Sequence, residues 1–384
     1  MNTTKKIAAS KDFPLVWAEV DLDALRNNLR IIRSKLSGSK VKILAIVKAD
    51  AYGHGMKKTA EALKKEGVNF FGVANIDEAI ELRKICPKAE ILVLGSFHGS
   101  QVPFYASYRI IPTVSSIEDL NVLESRLPVS AKKFPIHAKV DTGMGRLGVW
   151  HEEAEKLFLE AKRKKKVFVD GVYTHFANAD HEKKERTHRQ ILIFEKILQK
   201  IKALGFHPRY VHAANSMGLL RFKHAHLNLV RPGIILYGIS PSKNLPLPKR
   251  LKPILTLKTR ICFLREASKG RSISYGSTYK TPSKTLIATL PIGYSHGYRV
   301  GFSNKAFVLV KGKKCPVVGR VTMDQILVNV GRVPGVKRWD EVILIGEDKG
   351  QEVKAQDLAD LIETIPYEIS CSIHSRIPRI YKAL

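Results

Sequence analysis

Between residues 40 and 238 the chain alternates two hydrophobic rhythms. Short apolar runs predict strands at KILAIV (42–47), NFFGVA (69–74), EILVLG (90–95), RIIPTV (109–114), FPIHAKV (134–140), FVDGVYTHF (168–176), RYVHAA (209–214) and LNLVRPGIILYG (227–238). Several are apolar on both faces, as parallel strands covered on both sides must be. Between them, GMKKTAEALKKE, IDEAIELRKI, SIEDLNVLESR and RQILIFEKILQKIKAL carry helical spacing. Eight strands alternating with helices predict an α/β fold, the (β/α)8 TIM-type barrel. A doubly wound open sheet shares the alternation, but the count favours the barrel. WAEVDLDALRNNLRIIRSKL (17–36) adds a preceding strand and helix.

The texture changes after PSKNLPLPKRLKP (241–253), a proline- and lysine-rich stretch that reads as a linker. ILTLKTRICFL, TLIATLPI, FVLVKG, CPVVGRV, QILVNV and EVILIG then predict strands joined by short turns, an antiparallel β domain. One helix, KAQDLADLIET (354–364), follows. The expected division is a barrel over 1–245 and a mainly antiparallel C-terminal β domain over 246–384.

Composition changes this picture little. The 384 residues are 44% hydrophobic, enough for a large core. The opening MNTTKKIAASKDFPLVWAEV has no apolar h-region, and no apolar run approaches the ~18 residues of a membrane span, so a cytoplasmic protein is expected. Cys86, Cys262, Cys315 and Cys371 are scattered without a C-x-x-C pair, which speaks for thiols in a reducing compartment and against a metal site. The net charge of +30 raises the question of a polyanionic partner. Its densest run, Lys162 to Lys166, sits where a helix should end and cations are favoured anyway. No nucleic-acid motif accompanies it, so no specific nucleic-acid partner is expected.

Chemistry enters at ILAIVKADAYGHG (43–55). On a barrel, residues at the C-terminal ends of strands form the active face. Lys48 there is either a structural cation, paired for instance with Asp50, or a Schiff-base lysine of the kind that carries pyridoxal phosphate. Tyr52, Gly53 and Gly55 would form the next loop, with glycines allowing close approach to a ligand and a phenol able to bind phosphate.

VKADAYGHG resembles the cofactor-lysine motif of alanine racemases, enzymes built from a (β/α)8 barrel and a β domain. KVDTGMGRLG, THFANAD, HAANSMG, RPGIILYG, SYGSTY, LPIGYSHG, GRVTMDQ and IPYEISCSIHSRIPRIY follow in the family's order, so the likeness spans nearly the whole chain. The resemblance implies pyridoxal 5'-phosphate, L- and D-alanine as substrate, and D-alanine supplied for peptidoglycan. It implies Lys48 and Tyr275 as bases on opposite faces of Cα, with Tyr275 contributed by the second subunit of a homodimer. Arg231 would face the pyridine nitrogen and His175 would pack beside the ring. Tyr52, Asn215, Ser216, the amides near Gly233 and Ile234, and Tyr367 would form the phosphate end. Arg146, Met323, Asp324 and Tyr294 would meet the substrate. Lys139 matches a lysine often carbamylated in the family, its acquired carboxylate then holding Arg146.

The sequence departs from the family pattern in three places. His296 in GYSHG stands where aspartate is frequent, Thr322 where some members have cysteine, and Met217 replaces a smaller residue near the phosphate end. Of these, His296 bears on substrate access. The rival readings are a racemase of broader specificity for serine or basic amino acids, a fold-related decarboxylase, and a single-barrel cofactor carrier. The carrier would lack the β domain and its tyrosine.

Overall fold

The computed structural model describes residues 13–129 and 133–382. The opening residues, read above for a leader, lie mostly outside that range. The chain forms two compact units, one of residues 24–252 and one of 253–384 together with the segment before residue 24.

The first unit is a closed parallel barrel. After β1 (Val16–Asp21) come β2 (Lys42–Ile46), β3 (Phe70–Val73), β4 (Glu90–Val93), β5 (Thr113–Val114), β6 (Phe134–Asp141), a short β7 (Val149–Trp150), β8 (Val167–Tyr173), β9 (Tyr210–His212) and β10 (Leu229–Val230). Parallel pairing runs β10-β2-β3-β4 and β5-β6-β8-β9, with Leu92 bridging Ile111 between the two sets. Two amides close the ring between β9 and β10: Asn228 to the Val211 carbonyl at 3.4 Å, and Arg231 to Ala214 at 2.9 Å. Thus the eight expected strands are the eight staves.

The helices lie where spacing placed them, at Met56–Lys65, Ile76–Ile85, Ile117–Arg126 and Glu185–Ala203. Asn75 and Ser116 cap two of them, accepting from the Glu78 and Asp119 amides at 3.0 and 3.1 Å. Two strand predictions shrink. RIIPTV and LNLVRPGIILYG each keep only a two-residue strand, with Ile111 left as an isolated bridge, because Pro112 and Pro232 bring no N–H to the ladder. After Pro232 the chain coils into the 3-10 turn Ile234–Tyr237 rather than continuing extended.

The second unit is mainly antiparallel, as its short alternating runs predict. Its largest sheet includes Leu255–Arg260, Phe307–Val310 and Glu341–Asp348. Here the expected division differs from the structure. The expected division places β1 with the barrel, yet it pairs antiparallel with Leu255–Arg260 and parallel with Arg379–Lys382. The reason is its side chains: Val16 and Ala18 pack into the β unit's apolar core with Leu255, Leu257 and Leu344. The break between the units falls at residues 252 and 253, not at 245.

The Lys162–Lys166 run is tied to its own surface. Lys164 pairs with Glu160 at 2.6 Å, and Lys162 and Lys166 donate to the Leu204 and Leu127 carbonyls at 3.0 and 2.8 Å. No disulfide forms among the described residues, and no helix among them is long and apolar enough to cross a membrane.

Candidate active site

Beyond β2 the backbone enters a left-handed turn. Ala49, Asp50, Ala51 and Tyr52 have φ of 52°, 52°, 54° and 55°. Each such non-glycine residue costs about 1–2 kcal/mol, so the surroundings must hold the turn in place. The Glu78 carboxylate accepts from the Ala49 amide with one oxygen and the Ala74 amide with the other, both at 2.8 Å. Asp50 accepts from the Met56 amide at 2.7 Å, capping the following helix. His54 meets the Ala51 carbonyl through Nδ1 at 2.8 Å and stacks on Tyr237 at 4.5 Å between ring centroids. The Tyr237 hydroxyl in turn donates to the Ile46 carbonyl at 2.8 Å.

This turn sets Lys48, half-buried, at the C-terminal end of a barrel stave and swings Tyr52 toward Gly233. A Cβ at Gly233 would lie 2.6 Å from the Tyr52 oxygen. The Gly233 amide donates to the Ser216 hydroxyl at 2.9 Å. Asn215 caps the short helix Ser216–Arg221, accepting from the Gly218 amide at 2.9 Å. Tyr52, Ser216, Gly233 and the start of the Ile234–Tyr237 turn therefore converge. They bring two hydroxyls and the Gly233 amide, here donating to Ser216, to one point, groups of the kind that bind a phosphate.

Arg231 lies deeper and is 3% exposed. Its Nη1 donates to His212 Nδ1 at 2.7 Å, and its Nη2 donates to the Thr174 and Ala213 carbonyls at 2.7 and 2.9 Å. His175 Nδ1 stands 3.3 Å from the same Nη2. No carboxylate lies within ion-pair distance of this guanidinium among the described residues, and burial pulls its pKa down to about 10. Because a guanidinium has no acceptor, His212 must receive on Nδ1 and carry its proton on Nε2. That proton points to His137 Nδ1 at 2.9 Å. Burial, with positive neighbours, lowers the pKa of His137 to about 3 and those of His212 and His175 well below the imidazole range. The row is neutral. The Tyr173 ring stacks on His212 at 4.6 Å, with the Arg231 guanidinium carbon 5.2 Å from its centroid.

Lys139, on β6, is 4% exposed, and its Nζ lies 5.4 Å from the centre of the Tyr173 ring. Burial first, then the positive charges of Arg146 and Arg231, lower its pKa to about 8; Asp141 opposes them. Asp141 shapes the loop bearing Arg146, accepting from the Gly143, Met144 and Arg146 amides at 2.8, 2.7 and 3.1 Å. Lys48, Lys139, Arg146, Arg231 and His175 thus share one electrostatic neighbourhood at the strands' C-terminal ends.

In the β unit, Tyr275 sits in a tight loop between the two-residue strands Ser272–Ile273 and Tyr279–Lys280. Ser274 has φ 64° and donates to the Arg320 carbonyl at 2.6 Å. Tyr275 is 71% exposed, Met323 54% and Tyr294 46%, large side chains that their own unit leaves uncovered. Tyr294 and Met323 belong to joined loops: the Tyr294 amide donates to Thr322 and the Ser295 amide to Met323, both at 3.0 Å. Asp324 accepts from the Ser295 hydroxyl at 2.8 Å. Tyr367 lies on the helix Pro366–Ser372 of this unit.

Sequence reasoning missed Glu78, His212, His137 and Tyr173. Glu78 looks like any first-turn acid, and only the fold reveals its two backbone partners. His212 and His137 carried a signal in being histidines inside buried strands, where a polar side chain needs a partner. A cavity of about 580 Å³ at the opposite end of the barrel, lined by Arg33, Lys42, Phe70, Glu90 and Tyr210 among others, includes none of these site residues.

Residues 20–241 match the family described as alanine racemase, N-terminal domain, and residues 254–381 its C-terminal domain. The alanine racemase of Halothermothrix orenii is 44% identical over 369 residues, 95% of this chain and 96% of that protein. The crystal structure of alanine racemase from E. faecalis superposes with a TM-score of 0.90 at 35% identity, over 96% of this chain and 98% of the other. The Bartonella henselae alanine racemase with covalently bound pyridoxal phosphate gives 0.87 at 30% identity, over 96% and 100%. A closed barrel with a lysine at a stave's end, joined in sequence to a β unit bearing an exposed tyrosine, is thus matched in both halves, and the chain belongs to the alanine racemase family.

Proposed function

We propose that this protein is a pyridoxal-phosphate-dependent isomerase that interconverts L-alanine and D-alanine, and that its product serves peptidoglycan synthesis in the cytoplasm. The observation carrying the reading is the buried Arg231, which has neutral acceptors on one side and no carboxylate among the described residues. It lies in the same unit as Lys48 and the Tyr52–Ser216–Gly233 donor set.

These residues fit the cofactor. The missing Cβ of Gly233 leaves space beside the Tyr52 hydroxyl that any other side chain would fill. Tyr52, Ser216 and the amides of Gly233 and Ile234 would hold the phosphate, with Asn215 fixing the helix start and Tyr367 adding a donor. Arg231 would meet the ring nitrogen. Arginine surrenders a proton reluctantly even at a lowered pKa, so that nitrogen stays largely unprotonated. When bound, the cofactor supplies an electron sink that makes the Cα–H of an amino acid acidic.

The chain's own residues then move the protons. Lys48 Nζ takes or returns the proton on one face of Cα, and the Tyr275 phenol serves the other. Neither base alone inverts the centre. Tyr275, Met323 and Tyr294 are exposed on their own unit, which supports a homodimer in which they complete the neighbour's site. There Met323, Asp324 and Tyr294 would border the substrate. Arg146 would face the substrate carboxylate, held by Lys139 once that amine is carbamylated. The amine's pKa of about 8 leaves about a tenth of it neutral at pH 7, far more than an ordinary lysine, and carbamylation consumes that neutral form.

The test is racemisation of L-alanine in D2O, scored as deuterium at Cα alongside appearance of the D-isomer. Wild-type protein should give both and Lys48→Ala neither. A Lys48→Ala enzyme of wild-type rate would sink the reading.

A further inference from the structure

The turn carrying Tyr294 is pinned on three sides. It bonds to the 322–324 loop as described. The His374 amide donates to the His296 carbonyl at 3.3 Å, and Arg376 donates to the Ser295 carbonyl at 3.1 Å. Cβ atoms at Gly293 and Gly297 would lie 2.1 Å from the Thr322 carbonyl oxygen and 2.0 Å from that of Ser372. At the centre is the half-buried His296 ring. Its Nδ1 is 3.3 Å from the Gly293 amide and 3.2 Å from the Ser295 hydroxyl, whose proton goes to Asp324 at 2.8 Å.

Nδ1 has two mutually exclusive uses. Without a proton it accepts from the Gly293 amide and closes the turn around Tyr294. With a proton it can no longer accept. It then donates to the Ser295 oxygen, which relays to the Asp324 carboxylate. We infer that His296 is a positioning residue and proton-operated latch: the neutral ring holds Tyr294 and Met323 in the substrate-binding arrangement, and protonation releases them. The inference rests on the placement of those two residues at the substrate end proposed above.

The charged and titratable groups facing the ring are Asp324 on one loop, and His374 and Arg376 on the C-terminal segment. Burial is the largest influence on His296 and favours the neutral ring. Asp324 opposes it, and Arg376 and His374 reinforce it. The latch therefore stays closed at neutral pH and opens on the acid side of the ordinary imidazole value of about 6.5.

The experiment compares wild-type and His296→Asn holoenzyme from pH 5.5 to 8.5, following KM, kcat and the 15N-labelled Gly293 amide. Asparagine Oδ1 can take the place of Nδ1 as acceptor but does not titrate. Wild type should lose affinity at acid pH, KM rising about two- to tenfold more than in the variant, the worth of one hydrogen bond. The Gly293 amide should shift with pH in wild type and stay fixed in His296→Asn, whose KM at pH 8.5 remains near wild type. A Gly293 amide indifferent to pH, or an acid rise in KM that persists in His296→Asn, overturns the latch. Tyr294→Ala separates the two readings. If it leaves KM unchanged, the substrate-end placement fails and the latch's effect on KM falls with it. If it raises KM while the His296→Asn profile matches wild type, only the latch fails.

Discussion

Arg231 Nη1 donates to His212 Nδ1 at 2.7 Å inside the barrel, and His212 is bonded to His137 at 2.9 Å. One contact fixes the proton positions of both rings. It also makes both histidines resist protonation, because a second proton on either would be buried beside a guanidinium.

A pH dependence of stability follows. The pKa values of His137, His175 and His212 are lowered in the fold, so below about 6.5 the unfolded chain binds more protons than the native one. The stabilisation is fully present above that value and is lost as pH falls, at up to about 1.4 kcal/mol per pH unit for each histidine. Urea unfolding of wild type at pH 7.5 and 5.5 should show this loss. His137→Phe, packed over Gly171 and against Phe70 and Tyr210, should show it less steeply. Equal slopes in the two proteins would remove His137 from the account.

The phosphate end makes a steric prediction. The space at Gly233 is tight: an added Cβ would meet the Tyr52 phenol on one side and lie 3.5 Å from Ile46 Cβ on the other. In Gly233→Ala the new methyl meets Tyr52 Oη at 2.6 Å and its Cζ at 3.2 Å. Overpacking of about 1–3 kcal/mol should weaken pyridoxal phosphate binding by about ten- to a hundredfold in an absorbance titration. Adding Tyr52→Phe removes the nearer clash and should recover part of the loss. If Gly233→Ala binds as wild type, the phosphate lies elsewhere.

Much of this was legible in the chain, and the exceptions have physical causes. Staves such as NFFGVA and EILVLG declare themselves because Phe70–Val73 and Ile91 to Val93 are buried apolar runs, covered on both faces. The left-handed turn at Ala49–Tyr52 did not, because only Asp50 in Ala-Asp-Ala-Tyr adopts positive φ with any ease, and four such residues in a row need outside support. Glu78 holds it from 26 residues or more away in the chain. β1 was misgrouped for a related reason: periodicity shows that a strand has a buried face but not which sheet covers it. The proposed roles of Lys48 and Tyr275 rest on a resemblance, since neither a strand-end lysine nor a loop tyrosine signals chemistry alone.

Lys139 offers a chemical test. With its pKa lowered to about 8, its neutral amine fraction rises with pH through that value. Carbamylation by dissolved carbon dioxide consumes the neutral form, so occupancy should fall as the buffer is made acidic. Protein equilibrated with 13C-bicarbonate should show a carbamate carbon signal that is present at pH 8.5, weak at pH 6 and absent in Lys139→Ala. Loss of the modification should raise KM for alanine more than it lowers kcat, because Arg146 then loses its anchor. A Lys139→Ala protein that keeps the carbon signal would assign the carbamate to another lysine.

The division of labour between subunits can be tested without structural data. On the proposed two-base, shared-site scheme Lys48→Ala removes one base and Tyr275→Phe the other, so each variant alone should be nearly inactive. If Tyr275 serves the neighbour's site, a heterodimer pairs the intact Lys48 of one chain with the intact Tyr275 of the other in one of its two sites, and the other site has neither. Random reassortment of equal amounts in a two-fold dimer should restore about a quarter of wild-type sites, with unchanged KM. The exposed phenol, 71% uncovered on its own unit, is the physical reason to expect this result. If mixing restores nothing although heterodimers form, Tyr275 acts within its own chain and the dimer is not required for the second base.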